Sequence, residues 1–588
     1  MARNKYDVDE ELDSPFDLRH LKRCWVYIKR YRRLIIIAIL MSSIANISLL
    51  FVPQLLMRII DVGIPSGNIM YIIVCVLLMV LAIGIFIILV RMRFIIMNKV
   101  GQSIIADIRM DVFTHLQALS FNYYDSRPHG KILIRVVQYI NSVSNMLSNG
   151  LIDFILETLN VIFILAFMFA TNWRVSLFIL GGLPIFALIL FIVTPIQRKA
   201  WQSFANKNAN IGAYVAENIN GVKVTQAFCR EEFNKNIFYK LCLASKKAFM
   251  TAQYSSNITW IAASFFSMVI TALIFGVGIL IMVPPLTYGV MSAMTTYTFR
   301  FWQPITNLSR LFNELINTVA HLERIFELLD EPIEIKDKDG ATELGRIKGE
   351  VTFKHVVFEY EKDYPILDDV NFTVKPGEKI ALVGPTGAGK TTIVNLISRF
   401  YDLRSGAVLV DGQDISEVTL SSLRSQMGIM LQDSFVFSGT IADNVRYGKL
   451  DATMDEIKTA CETVRASQFI EDLPDGYETL LEEGGSNLSA GEKQLISFAR
   501  TLISDPKILI LDEATSSIDT KTEKLLQEGL RNLLENRTSF VIAHRLSTIK
   551  DCDRIMYIAD KNIVEQGSHN ELMTKKGAYY KLYQTHSV

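Results

Sequence analysis

Residues 248 to 299 carry no charged side chain. In water such a stretch would have to be buried on every face. A bilayer accepts it as helix, because a helix satisfies each backbone N–H and C=O internally. About 20 apolar residues cross the hydrocarbon, so the stretch is too long for one crossing, and Pro284-Pro285 divides it into two. Four earlier runs read the same way: 34–57, 62–90, 154–173 and 175–197, with Gly63, Pro65 and Gly67 marking the turn between the first two. Six spans are predicted. The first apolar run begins at Leu34 and is too long for a signal-peptide core, so no cleavable leader is expected.

Lysine and arginine set the orientation. Residues 16–33 are basic and aromatic: Arg19, Lys22, Arg23, Trp25, Tyr27, Lys29, Arg30, Arg32 and Arg33. They suit an amphipathic segment lying on a membrane surface; an exposed basic linker is the alternative. The long connections 91–135 and 198–247 are basic too, whereas the short ones around Asp61, Arg174 and Pro284 are nearly bare. The N-terminus, both long connections and everything after the sixth span are therefore predicted to be cytoplasmic. Ile104, Ile105, Ile108 and Val112 recur at helical spacing, so the connections read as helical extensions of the spans. Each contains a short break, 120–125 and 217–221, that could touch the soluble half; a plain turn is the competing reading. Within the spans, Asp153, Glu157 and Arg300 are candidate substrate or proton contacts because burying charge in hydrocarbon is costly, although all three lie near span ends. Tyr297, Phe299, Phe301 and Trp302 serve either helix packing or an apolar or cationic substrate.

Beyond about residue 340 the composition becomes that of a soluble α/β domain. The apolar run 379–383 leads into Gly384-Pro385-Thr386-Gly387-Ala388-Gly389-Lys390-Thr391, then into a helix-like segment. Strand, G-x-x-x-x-G-K-[ST] and helix together predict a phosphate cradle. Its backbone N–H groups and Lys390 meet the phosphates of ATP, and the Thr391 hydroxyl meets Mg²⁺. The apolar run 507–511 ends in Asp512-Glu513, which places Asp512 in the Mg²⁺ shell and Glu513 beside the attacking water. Tyr360 is an aromatic that could stack on adenine. Lys+Arg and Asp+Glu balance at 60 each, which argues against a nucleic-acid partner. The six cysteines lie scattered without a C-x-x-C pair, so disulfide and metal roles are not expected.

These motifs resemble those of an ATP-binding cassette (ABC) exporter half-transporter over everything after about residue 16. Leu488-Ser489-Ala490-Gly491-Glu492 is similar to the family signature, usually L-S-G-G-Q. Gln432 matches the Q-loop, Ser516 to Asp519 the D-loop and His544 the switch histidine. The resemblance implies a membrane domain of six transmembrane helices with long cytoplasmic extensions, fused to an α/β P-loop domain. The expected divisions are 1–33 tail and elbow, 34–330 membrane domain, 331–345 linker and 346–588 nucleotide-binding domain. It implies catalytic roles for Glu513, His544 and Gln432, with Gln432 also joining Thr391 and Asp512 at Mg²⁺. It assigns ATP contacts to Tyr360, residues 384–391, Thr392, and the signature's Ser489 and Gly491. ATP lies between two cassettes, so a second half-transporter is required. Ala490 and Glu492 depart from the signature, adding a methyl and a negative charge where a polyanion would bind. That asymmetry points to a heterodimer; a homodimeric lipid flippase, or a gated channel on the same fold, are the alternatives.

Overall fold

The computed structural model describes residues 18–127, 132–133, 135–146, 150–280, 286–361, 363–430, 434–512, 520–542 and 549–586. The chain divides into two compact units, residues 1–117 with 129–331, and residues 118–128 with 332–588.

The first unit is helical. Its main helices are α1 (Leu18–Arg30), α2 (Arg32–Arg58), α3 (Ile69–Ala118), α5 (Leu151–Thr171), α6 (Trp173–Leu180), α7 (Leu183–Asn220), α8 (Val222–Ala227), α9 (Glu231–Leu280) and α10 (Tyr288–Leu329); α4 (Phe121–Asp125) belongs to the second unit. Among the described residues, Arg32–Ser66, Ile69–Ala118 and Ile152–Thr171 are long and apolar enough to cross a membrane by length and composition. The remaining predicted spans fall on α6–α7, α9 and α10. At 1.5 Å per residue the 50 residues of α3 run for about 75 Å. That is more than twice the hydrocarbon thickness, so the long basic connection is helix, as its apolar spacing indicates. Ile104, Ile105, Ile108 and Val112 are all buried, whereas Leu77, Val80, Ile87 and Ile88 higher on α3 are exposed, as lipid-facing residues are.

Three span boundaries differ from expectation. The first helical span runs on through Gly63 and Pro65 to Ser66, so the turn is at Gly67. Asn172 is extended and its side chain accepts a hydrogen bond from Val175 N at 3.1 Å, so α5 stops at Thr171 and α6 restarts at once. The fourth span is not continuous, because Gly181-Gly182 interrupts it between α6 and α7. The division at Pro284-Pro285 lies outside the described residues.

Several polar groups in this apolar unit are tied to specific partners. Tyr297, Phe301 and Trp302 are buried in helix packing with Leu50, Met168 and Ile270, and the Tyr297 hydroxyl donates to Leu50 O at 2.8 Å. Packing is thus their observed use, while Phe299 is exposed. Asp61 lies in a π-helical turn, Ile59–Gly63, that continues α2. Its carboxylate accepts from Thr287 Oγ1 at 2.6 Å and Gly289 N at 2.8 Å, closing the first turn of α10. At the other end of α2 the basic helix α1 is tied by specific pairs. Arg23 binds both oxygens of Asp330 at 2.5 and 2.7 Å, with its guanidinium 4.3 Å from the centre of the Phe326 ring. Arg30 pairs with Asp107 at 2.7 Å, and Tyr27 donates to Asp111 at 2.8 Å. The segment is therefore an anchored helix rather than a free linker, with Trp25 and Val26 exposed on its outer face.

The second unit holds the strands β1 (Val351–Glu361), β2 (Tyr364–Val374), β3 (Lys379–Val383), β4 (Ser405–Val410), β5 (Gln413–Asp414), β6 (Met427–Met430), β7 (Gly439–Thr440), β8 (Leu480–Leu481), β9 (Ile508–Asp512), β10 (Thr538–Ile542), β11 (Arg554–Ala559) and β12 (Asn562–Gly567). Six form a sheet in the order β12-β11-β3-β10-β9-β6, parallel except for β12. Every residue of β10 is buried, as strands covered on both faces must be. One face packs with the antiparallel sheet β2-β1-β4-β5 and helix α11 (Lys390–Ile397); the other packs on α12 (Ala490–Ile503) and α13 (Thr520–Leu534). Leu344 and Ile347, in the expected linker and at its end, are buried in the first of these cores.

A side chain at Gly289 would meet both Met57 O and Asp61 Oδ2 at 2.5 Å. Gly289→Val is expected to push α10 from α2 and lower the thermal unfolding midpoint of the detergent-solubilised protein. Asp61→Ala, which removes the acceptor of the Gly289 N–H and the Thr287 hydroxyl without a clash, is expected to cost about 0.5–1.5 kcal/mol.

Candidate nucleotide-binding site

β3 is a buried central strand, and its exit is shaped by contact with β11. Val383 pairs with Tyr557, and a Cβ on Gly384 would run into the carbonyl oxygen of Ile558. Gly384 also takes φ +149°, a conformation that L side chains rarely adopt. Gly389, at φ +100°, caps α11 and packs on Leu367. Between them Pro385, Thr386 and Gly387 are exposed, and Ala388 N donates to Pro385 O at 3.2 Å. The Lys390 ammonium curls back over this loop and donates to Gly384 O and Pro385 O, each at 2.9 Å. Burial lowers its pKa, and the charge of Asp512 opposes that shift. Lys390 and Asp512 are thus within electrostatic reach of one another. Thr391 is exposed at the start of α11, and Thr392 beside it is buried.

The parallel sheet explains why residues far apart in sequence converge. In register, Ile542 pairs with both Leu382 and Asp512, so β3, β10 and β9 end together; β6 ends with Met430 beside Leu511 on the same edge. Asp512 is the last residue of β9. Gln432, Glu513 and His544 follow β6, β9 and β10 in the chain by one or two residues; they, and the D-loop stretch 516–519, lie outside the described residues.

Tyr360, near the end of β1, is exposed over part of its ring and hydrogen-bonded to Thr392 Oγ1 at 3.2 Å. Phe358 and Tyr401 stand edge-on to it at 4.8 and 5.1 Å. Tyr401 and its neighbour Phe400 also meet α4, the first of the predicted breaks. Phe121 lies 4.5 Å from Phe400, and the Tyr401 hydroxyl donates to Asp125 Oδ2 at 2.5 Å. Ser120 donates to Glu334 at 2.9 Å. Sequence reasoning placed Asp125 in a break that could touch the soluble half but missed its partner Tyr401: the two are 276 positions apart, and only an aromatic soon after the glycine-loop helix hinted at Tyr401. The second break ends α7 at Asn220 and is followed by α8, with Val224 and Phe228 strongly exposed.

The signature residues begin α12. Ser489 is the N-cap: its side chain accepts from Glu492 N at 3.3 Å, while the Glu492 carboxylate accepts from Ser489 N at 2.7 Å. This is a reciprocal capping box. Glu492, read from sequence as an added charge, is therefore also a fastening of its own helix. Gly491 is buried. Arg500, two turns on, donates from three nitrogens, to Asn444 O, Asn444 Oδ1 and Phe435 O, all at 2.8 Å, binding α12 to the segment after β6. The pattern S-x-x-E announces the box in sequence; nothing local announces Arg500.

In the helical unit, Asp153 pairs with Arg93 at 3.2 Å and Glu157 accepts from Asn307 at 2.8 Å, joining α3, α5 and α10. Arg300 is partly buried on α10, about two turns before Asn307. The candidate intramembrane charges thus already have protein partners at Asp153 and Glu157.

Residues 35–305 match the ABC transporter transmembrane region, and residues 367–516 the ABC transporter domain. The chain is 38% identical to an uncharacterized ABC transporter ATP-binding protein, YknV, of Bacillus subtilis (strain 168), across 98% of this chain and 96% of that one. It is 37% identical to an ATP-dependent lipid A-core flippase of Desulfotalea psychrophila, over 83% of this chain and 86% of the flippase. It is 36% identical to a fatty acid ABC transporter ATP-binding/permease protein of Mycobacterium tuberculosis, over 83% and 77%. A bacterial Atm1-family ABC exporter with ATP bound superposes with a TM-score of 0.80 at 29% identity, covering 95% of this chain and 99% of that one.

Gly384 and Gly387 separate sterics from strain. Gly387 has open space around a Cβ and only the cost of φ +81°, about 1–2 kcal/mol for an L residue. Gly387→Ala is expected to weaken ATP binding by about tenfold, whereas Gly384→Ala is expected to abolish it, measured by fluorescent-nucleotide titration.

Proposed function

The chain belongs to the ATP-binding cassette exporters, and from that membership we propose that it carries a hydrophobic or amphipathic substrate, such as a drug, lipid or peptide, outward across the membrane by alternating access. It is an integral membrane protein whose ATP hydrolysis is coupled to transport, and exporters of this kind work as dimers. The observation that carries the reading is the glycine loop at the end of buried β3, with Lys390 bonded back over it, in one chain with helices far longer than a bilayer is thick. The names of two relatives, a lipid A-core flippase and a fatty acid transporter, favour an amphiphile. Lysine and arginine placement supports a cytoplasmic N-terminus and ATPase unit, and the bacterial relatives support a plasma membrane.

At the site, Tyr360 supplies a partly exposed ring for adenine. The loop 384–391 presents its N–H groups and the start of α11 to the phosphates. Lys390, held by two neutral carbonyls, gains stronger charge-assisted partners on meeting phosphate oxygens. The donors fit Mg²⁺, a hard cation that prefers oxygen and takes few protein ligands: the Thr391 hydroxyl, the Asp512 carboxylate and the Gln432 amide oxygen. Once bound, the metal neutralises developing phosphate charge. Glu513, next after Asp512, accepts the proton of the attacking water, and His544 contacts the γ-phosphate.

The composite site requires Ser489 and Gly491 from an opposing cassette. In this chain that surface carries Ala490 and Glu492, and the Glu492 carboxylate sits on the Ser489 N–H. We therefore favour a heterodimer in which a sister chain with an uncharged signature completes the site built on Lys390 and Glu513. That the capping box is intact favours a homodimer as the second reading.

Purified alone, the chain is expected to show little ATPase activity, which co-expression with its sister restores. Robust Glu513-dependent turnover without a second chain would overturn the heterodimer. Lys390→Ala is expected to abolish turnover. Glu513→Gln is expected to abolish turnover yet retain ATP and accumulate a closed dimer, detectable by ATP-dependent crosslinking between the cassettes.

A further inference from the structure

Tyr401 joins two surfaces that the proposed function treats separately. Its ring stands edge-on to Tyr360, at 5.1 Å and 88°, and against Phe358 at 5.7 Å. Its hydroxyl reaches the other way, to Asp125 at the end of α4. Tyr360 in turn holds Thr392, the residue after Thr391. An unbroken series of contacts therefore runs from the glycine-loop helix, through the adenine platform, to a short helix whose chain continues directly from α3 through Ser120.

The other contacts of α4 are of a different kind. Phe121 rests on Phe400, whose ring lies 4.9 Å from the guanidinium of Arg424, and Arg424 is fixed by the carbonyls of Ser398 and Arg399. Ser120 and Asn122 face Glu334. These fasten α4 to the cassette but bypass the platform. The Tyr401–Asp125 bond leads from α4 to Tyr360. Burial and the Asp125 carboxylate both raise the pKa of the Tyr401 hydroxyl, so it remains a donor throughout the working pH range.

We propose that Tyr401 is a positioning residue that reads whether a nucleobase occupies the Tyr360 platform and transmits this to α4 through its hydrogen bond to Asp125. A base stacked on Tyr360 fixes that ring. The fixed ring restricts Tyr401, to which it is packed at right angles, and the hydroxyl then holds Asp125 and the end of α4 in place. Triphosphate bound in the glycine loop without a base leaves the Tyr360 ring uncovered, held only by its bond to Thr392. The proposal rests on the reading of Tyr360 as the adenine platform, and coupling energies of this kind typically correspond to about 5- to 150-fold effects.

The test uses the full transporter in lipid nanodiscs and follows amide hydrogen exchange of residues 119–127, with and without nucleotide. ATP is expected to slow exchange there, and inorganic tripolyphosphate, which lacks a base, is expected not to. Tyr401→Phe keeps the ring but loses the bond. It is expected to leave the Kd for ATP within about twofold while the ATP-induced slowing falls about fivefold or more. Asp125→Ala is expected to reproduce this, Asp125→Asn, which retains an acceptor oxygen, to restore it, and the double variant to be no worse than either single one. A merely structural role would change exchange equally with and without ATP. Full ATP-dependent slowing in Tyr401→Phe, or equal slowing by tripolyphosphate, would overturn the proposal. If Tyr360→Ala leaves the Kd for ATP unchanged, the platform reading itself fails, which is a separately recognisable result.

Discussion

The cassette unit depends on the burial of β3. Because both faces of the parallel sheet are covered, its backbone groups can be satisfied only by neighbours in strict register. That register brings Val383, Ile542 and Asp512 to one edge. The chain must then leave β3 under the carbonyl of Ile558, where only glycine fits. A loop so constrained cannot relax toward a bound anion. Its N–H groups are directed by the strand before it and the helix after it, which is what makes a phosphate site effective: the dipoles are ordered during folding rather than at the moment of binding.

The helical unit obeys a different constraint with the same logic. An unpaired polar group in hydrocarbon is costly, and three polar residues of this unit are tied to specific neighbours. Tyr297 uses a carbonyl of α2; Asp61 uses the first N–H groups of α10; Glu157 uses Asn307. These ties all link different helices, and two of the three join α2 to α10. A movement that separates those helices must break them together, so they favour concerted over piecemeal rearrangement. At the opposite end, the Arg23–Asp330 and Arg30–Asp107 pairs lie where water reaches them. Exposed pairs of this kind contribute only about 0–1 kcal/mol each, which lets α1 follow the extensions rather than hold them.

What was legible in sequence follows from how locally each feature is encoded. The spans declare themselves because charge exclusion acts on every residue of a run, and the glycine loop because strand, turn and helix are contiguous. Boundaries were less legible. Gly181-Gly182 breaks a span without changing its hydropathy, and the π-helical turn at Ile59–Gly63 has no composition signal. The box at Ser489–Glu492 was written in plain S-x-x-E form, but attention to charge hid the hydrogen bond. Least legible was the Tyr401–Asp125 contact, which exists because a helix connecting two spans is packed into the cassette unit; no periodicity or motif relates residues so distant in sequence.

The two effects at Glu492 can be weighed against one another. As the third residue of α12 it satisfies the Ser489 N–H and places negative charge at the helix N-terminus, together worth about 1 kcal/mol to its own fold. Glutamine would give the same backbone bond without the charge, so the gain over the usual signature is only the dipole share, about 0.3–1 kcal/mol. Under the proposed sandwich the same charge faces phosphate. At an effective dielectric constant near 20, a unit of phosphate charge brought within roughly 10 Å would oppose it by more than about 1 kcal/mol. The repulsion exceeds the gain as soon as ATP is sandwiched, and it falls entirely on the site this signature completes. The site built from Lys390 and Asp512 is untouched by it. A glutamate here therefore stabilises its own helix and, under the proposed sandwich, disfavours the composite site that this signature completes.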